Sequence, residues 1–98
     1  MPTIFAVTRT RGAAFDDSVP LESQAEWAEH AAFMNGLHAE GFVLLGGSLE
    51  GTPDVLLIVR AKSVNEIEAH FSQDPWTKNN LLRVKQIAPW TVRLGSVG

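Results

Sequence analysis

A chain of 98 residues holds one domain, and a domain this short has a marginal core unless a partner adds to it. Its content of 45% hydrophobic and 19% charged residues, with no low-complexity tract, excludes disorder. A net charge of −3, with the eight basic residues scattered along the chain, excludes the basic stripe that nucleic acid requires.

Thr3 to Arg9 (TIFAVTR) predicts the first strand, being rich in β-branched and aromatic residues with no breaker. Thr10 to Pro20 (TRGAAFDDSVP) is a loop, long enough to suggest a functional role. A helix is expected from about Ser23 to Glu40, opened by Ser23 and Glu26 at capping-box spacing and stopped by Gly41. On its wheel Trp27, Phe33, Met34 and Leu37 form an apolar arc, and His30 projects near the middle of it. Gly36 weakens this helix by about 1 kcal/mol relative to alanine.

Phe42 to Leu45 predicts the second strand and Val55 to Val59 the third, with a turn at Gly51-Thr52-Pro53-Asp54. Ser63 and Glu66 form another capping box, opening a helix to about Gln73 that buries Val64, Ile67 and Phe71. Asp74-Pro75 ends it, because the residue before proline leaves the α region. Asp74 then caps a short helix through Leu82, with Pro75 in its first turn. The last strand is expected from about Val84 to Leu94, with Pro89 as a bulge or edge position.

The order βαββαβ is that of a ferredoxin-like α+β fold with a four-stranded antiparallel sheet. Two helices cover one face of such a sheet, and the other face should then be polar. Instead Ile4 and Ala6, Phe42 and Leu44, and Leu56 and Ile58 make the first three strands apolar on both sides. At about 25 cal/mol per Å² this surface favours being covered, and a second copy of the chain is the simplest cover.

The chain has no cysteine, which suits a reducing compartment, and its first apolar run, Thr3 to Thr8, is too short for a signal core or a membrane span. A cytoplasmic protein is expected, with neither nucleic acid nor membrane as partner. The three histidines (His30, His38 and His70) have no metal-ligand spacing, and no phosphate-binding glycine loop or nucleophile elbow occurs, so neither a metal nor a cofactor is expected.

His30 is the sharpest candidate for chemistry, since a shielded imidazole can exchange protons near neutral pH. A buried histidine that only hydrogen-bonds a backbone carbonyl is the alternative. Arg11 could clamp a substrate oxyanion or be a solvated loop residue. Trp76 and Trp90 could wall an aromatic-binding pocket or serve as core and interface residues. Asp16 and Asp17 read chiefly as turn formers.

Arg11-Gly12, Asp16, Trp27-x-x-His30-Ala31-Ala32-Phe33-Met34, Gly41-Phe42, Leu45-Gly46-Gly47, Asp74-Pro75-Trp76 and Pro89-Trp90-Thr91 together resemble the YCII-related (YciI-like) family, nearly end to end. The resemblance implies a dimeric α+β barrel, with two ferredoxin-like sheets packed face to face. It also implies a cleft with a histidine–aspartate pair, here His30 and Asp74. One branch of the family resembles a dehydrochlorinase of a chlorinated hydroxyquinol, which implies acid/base chemistry on small aromatic or enol-like substrates. Ser48 departs from the Gly-Gly-Pro usual at that position.

Two functions follow as expectations. One is a small cofactor-independent enzyme of lyase, isomerase or dehalogenation type, with His30 as base or acid, Asp74 orienting it, and Arg11, Trp76 and Trp90 contacting substrate. The other is a non-catalytic small-ligand or assembly module using the same cleft. Only the first needs a proton-transfer dyad.

Overall fold

The computed structural model describes residues 3–97. Its elements are β1 (Thr3–Arg11), a 3-10 turn (Leu21–Ser23), α1 (Trp27–Ala39), β2 (Val43–Ser48), β3 (Asp54–Ala61), α2 (Val64–Phe71), α3 (Pro75–Lys78) and β4 (Leu82–Pro89). The four strands form one antiparallel sheet in the order β2-β3-β1-β4, which is the ferredoxin-like arrangement.

The strands alternate as a pleated sheet requires. Phe5 and Val7 pair with Val59 and Leu57, and these four point into the core with Leu37, Val43, Ile67 and Phe71. Their neighbours Ala6 and Thr8 pair with Ile58 and Leu56 on the opposite face, which no helix covers. Two register shifts interrupt the ladders, one between Thr8 and Arg9 against β4 and one between Val43 and Leu45 against β3. Such bulges bend a strand and re-aim its side chains.

The helices differ from the sequence expectation at their ends. α1 begins at Trp27, not Ser23, and Glu26 before it takes a left-handed conformation with φ 58°. Tertiary hydrogen bonds outcompete the capping box here. The Gln24 amide donates to the carbonyls of Asp16 and Val19 and accepts from the Asp16 N–H, while the Trp76 indole takes the Ala25 carbonyl. The second capping box forms, with Ser63 Oγ accepting the Glu66 N–H, but Val64 is 39% exposed and the helix buries only Ile67 and Phe71. Asp74 caps α3 through its Trp76 N–H bond, and Pro75 stands at the first turn. That helix ends at Lys78, and Asn80 in the left-handed region turns the chain into β4. β4 stops at Pro89, which has no N–H to extend the ladder.

Only Leu37 of the expected α1 stripe is fully buried; Trp27, Phe33 and Met34 are half-buried. The helix divides its apolar residues between two directions. Phe33, Met34 and Leu37 pack on the core, and Met34 together with Trp27 also lines a cavity.

Candidate functional site

The cavity measures about 470 Å³ and lies between α1 and the β1–β3–β2 part of the sheet. Its walls are mainly apolar, including Phe15, Trp27, Met34, Leu44, Val55 and Leu82. Polar side chains enter it at several points, from Arg9 and Arg11 on β1 to His30 and His38 on α1 and Asp54 on β3.

His30 is one of those points. It comes from the first turn of α1 and is 8% exposed. Its Nδ1 lies 2.9 Å from both carboxylate oxygens of Asp74, which is itself 0% exposed. An ionised carboxylate can only accept, so Nδ1 is protonated, and in the neutral ring Nε2 holds the lone pair. Nε2 has no partner among the described residues, and the histidine lines the cavity. The imidazole also stacks flat on the Trp76 indole, with centroids 3.9 Å apart and planes within 2°. Trp76 is pinned in turn by its Nε1–H bond to Ala25 O at 2.8 Å.

Asp74 is fully engaged. Oδ1 accepts the Trp76 N–H and Oδ2 accepts Arg9 Nη1, each at 2.9 Å. Burial alone would raise its carboxyl, but hydrogen bonds from His30, the Trp76 N–H and Arg9 outweigh burial and hold it below the usual carboxylate range. Asp74 is therefore the fixed anion of the cluster.

Arg9 supplies the balancing charge. It is 1% exposed, bonds Asp74 through Nη1 and Thr77 Oγ1 through Nη2 at 2.6 Å, and lies over the Phe71 ring. Burial lowers its ordinary value, opposed by the bond to Asp74. The sequence reading missed Arg9 and singled out Arg11. A signal was present: Phe5, Val7 and Arg9 alternate in phase, which puts Arg9 on the core face.

Arg11 stands at the cavity mouth, exposed, where it pairs with Asp17 at 2.9 Å and covers the Phe15 ring. Asp16 forms a turn, accepting the Ser18 N–H and hydroxyl, and these two bonds hold its carboxyl below the ordinary range. Trp76 reaches the cavity but is 1% exposed, so its main contacts are protein ones. Trp90 does not line the cavity. It is 43% exposed just past β4, its N–H bonded to Ile4 O, at the end of the strand remote from Leu82 and the cavity. Among the described residues no three His, Asp or Glu side chains are grouped to hold a metal ion, and no helix is long and apolar enough to cross a membrane.

The sequence matches the YCII-related domain over residues 5–91. The chain belongs to this family. Among solved structures, it is similar to 5-chloro-2-hydroxyhydroquinone dehydrochlorinase from Burkholderia phenoliruptrix AC1100, solved with 2,5-dihydroxybenzoquinone. The TM-score is 0.62 at 21% identity, covering 90% of this chain and 93% of that one, which establishes a shared fold. No curated protein matches the sequence significantly.

Proposed function

We propose that this YCII-related protein is a cofactor-independent enzyme that moves a proton on a small, apolar-bodied substrate. One observation carries the reading: His30, held at Nδ1 by a buried ionised Asp74, presents Nε2 to an apolar cavity. Nε2 takes a proton from the substrate, Asp74 stabilises the imidazolium that results, and Arg9 keeps Asp74 charged and in place. For a chlorinated hydroxyquinol the keto tautomer carries its C–Cl bond on an sp3 carbon: a ring hydroxyl gives its proton to Nε2, the O–H electron pair forms a carbonyl, the adjacent ring double bond shifts towards the chlorinated carbon, and chloride leaves with the C–Cl pair, leaving a quinone. The imidazolium then returns the proton to water.

The relative's activity and its complex with a dihydroxybenzoquinone support small cyclic, oxygenated compounds as the first substrates to try. Chloride release from 5-chloro-2-hydroxyhydroquinone and binding of 2,5-dihydroxybenzoquinone are the measurements. Turnover that falls at least about a hundredfold in His30→Gln and Asp74→Asn supports the enzyme. Binding without turnover, unchanged by His30→Gln, would leave a non-catalytic ligand module instead.

The working unit in this proposal is a cytoplasmic homodimer. On the sheet face away from the helices Leu45 is 59% exposed and Ile4, Ala6 and Leu56 are half-buried, while Ile58 is already buried within the chain. An isologous pairing of this patch with itself closes it.

A further inference from the structure

We infer that His38 is a second ligand-binding residue of the cavity, and that the site takes a small molecule with hydrogen-bond donors at opposite ends of an apolar body. The inference rests on the proposed role of His30 and adds the far end of the ligand.

His30, Met34 and His38 follow one another at four-residue steps on α1, so they form a single ridge, and all three line the cavity. His38 Nδ1 lies 2.8 Å from Val43 O. A carbonyl can only accept, so Nδ1 is protonated; in the neutral ring Nε2 is then an acceptor, and no hydrogen bond from a described residue occupies it on this exposed side chain. The same logic fixes His30 through Asp74. The cavity therefore has two imidazole acceptors whose tautomers are both set by the fold. Between them is Met34, whose sulfur receives Arg9 Nη1 at 3.9 Å and forms an apolar floor.

The spacing limits the ligand. Eight residues of helix rise about 12 Å. Taking that rise as the separation of the two Nε2 atoms, two hydrogen bonds of about 2.8 Å leave roughly 6 Å between the ligand's donor atoms. That suits a single six-membered ring with hydroxyls at opposite positions, and neither a long chain nor a fused polycycle.

The test uses hydroquinone and phenol as probes, titrated calorimetrically under nitrogen into the whole protein. The wild type should bind hydroquinone about fivefold more tightly than phenol, the value of one added hydrogen bond. His38→Phe should abolish that preference without changing phenol affinity, and His38→Gln, whose amide oxygen also accepts, should restore part of it. His30→Gln should weaken both probes. In ¹⁵N spectra of the wild type, the His38 Nε2 resonance should move with hydroquinone and stay still with phenol, a readout that needs no variant to fold. A preference that survives in His38→Phe, or a His38 signal indifferent to hydroquinone, overturns this inference; the His30 reading still stands if His30→Gln weakens both. A wild type without preference also overturns it. Indifference of both probes to His30→Gln sinks the functional reading itself.

Discussion

At the scale of single residues, the site is a chain of charge compensation in which each member justifies the burial of the next. A buried carboxylate needs a cation, a buried guanidinium needs an anion, and Asp74 and Arg9 meet both needs at 2.9 Å. Asp74→Asn should destabilise the protein by about 3–5 kcal/mol, because it leaves the Arg9 cation buried without its partner. Arg9→Met should cost a similar amount, while the double variant should cost less than the two single losses summed; urea denaturation of all three measures this. Strict additivity would show that the two groups are not coupled. The pH dependence has a definite sign. The Asp74 carboxyl lies below its ordinary value of 3.8 in the folded chain, so the unfolded chain binds the proton more readily. Its stabilisation is complete above that ordinary value and is lost as pH falls through the folded one. The unfolding midpoint should therefore drop on the acid side of pH 4, and Asp74→Asn should flatten that limb.

At the scale of elements, α1 separates core packing from ligand contact on neighbouring faces. Leu37 faces the core, and Leu37→Ala should cost about 2–5 kcal/mol in chemical denaturation. Gly36 lies in the same helix with nothing within 4 Å of where a Cβ would stand. Gly36→Ala should stabilise by about 1 kcal/mol, through helix propensity and loss of unfolded-state freedom. Gly12 is the opposite case. A Cβ there would collide with the Asn80 carbonyl oxygen, where β1 leaves the sheet beside the turn into β4. Gly12→Ala should lower the melting temperature, and an unchanged value would mean that the two backbones can separate here without cost.

At the scale of the whole molecule, one sheet face is covered by helices and the other is left half-exposed. Leu57 belongs to the covered face and Leu56, paired with Thr8, to the half-exposed one. Leu56→Lys should turn the proposed dimer into monomer or aggregate in light scattering, because it places a charge where two copies would meet. A wild-type chain that scatters as a stable monomer at micromolar concentration would remove the dimer.

The sequence by itself determined the strand and helix order, the α+β class, the two-sided apolar strands and the capping role of Asp74, because period-two and capping signals are local. The family resemblance supplied the pairing of His30 with Asp74. Other features were decided by tertiary structure alone. The start of α1 depends on Gln24 and Trp76, whose partners are elsewhere in the chain. The choice of Arg9 over Arg11 depends on where β1 ends and on a carboxylate 65 residues away. Trp90 fell outside the cavity because it follows the end of β4 that pairs with Phe5, whereas the cavity lies at the opposite end, where Leu82 pairs with Arg11. Propensity reads neighbours along the chain, whereas burial and ion pairing depend on neighbours in space, and those exist only once the sheet has formed.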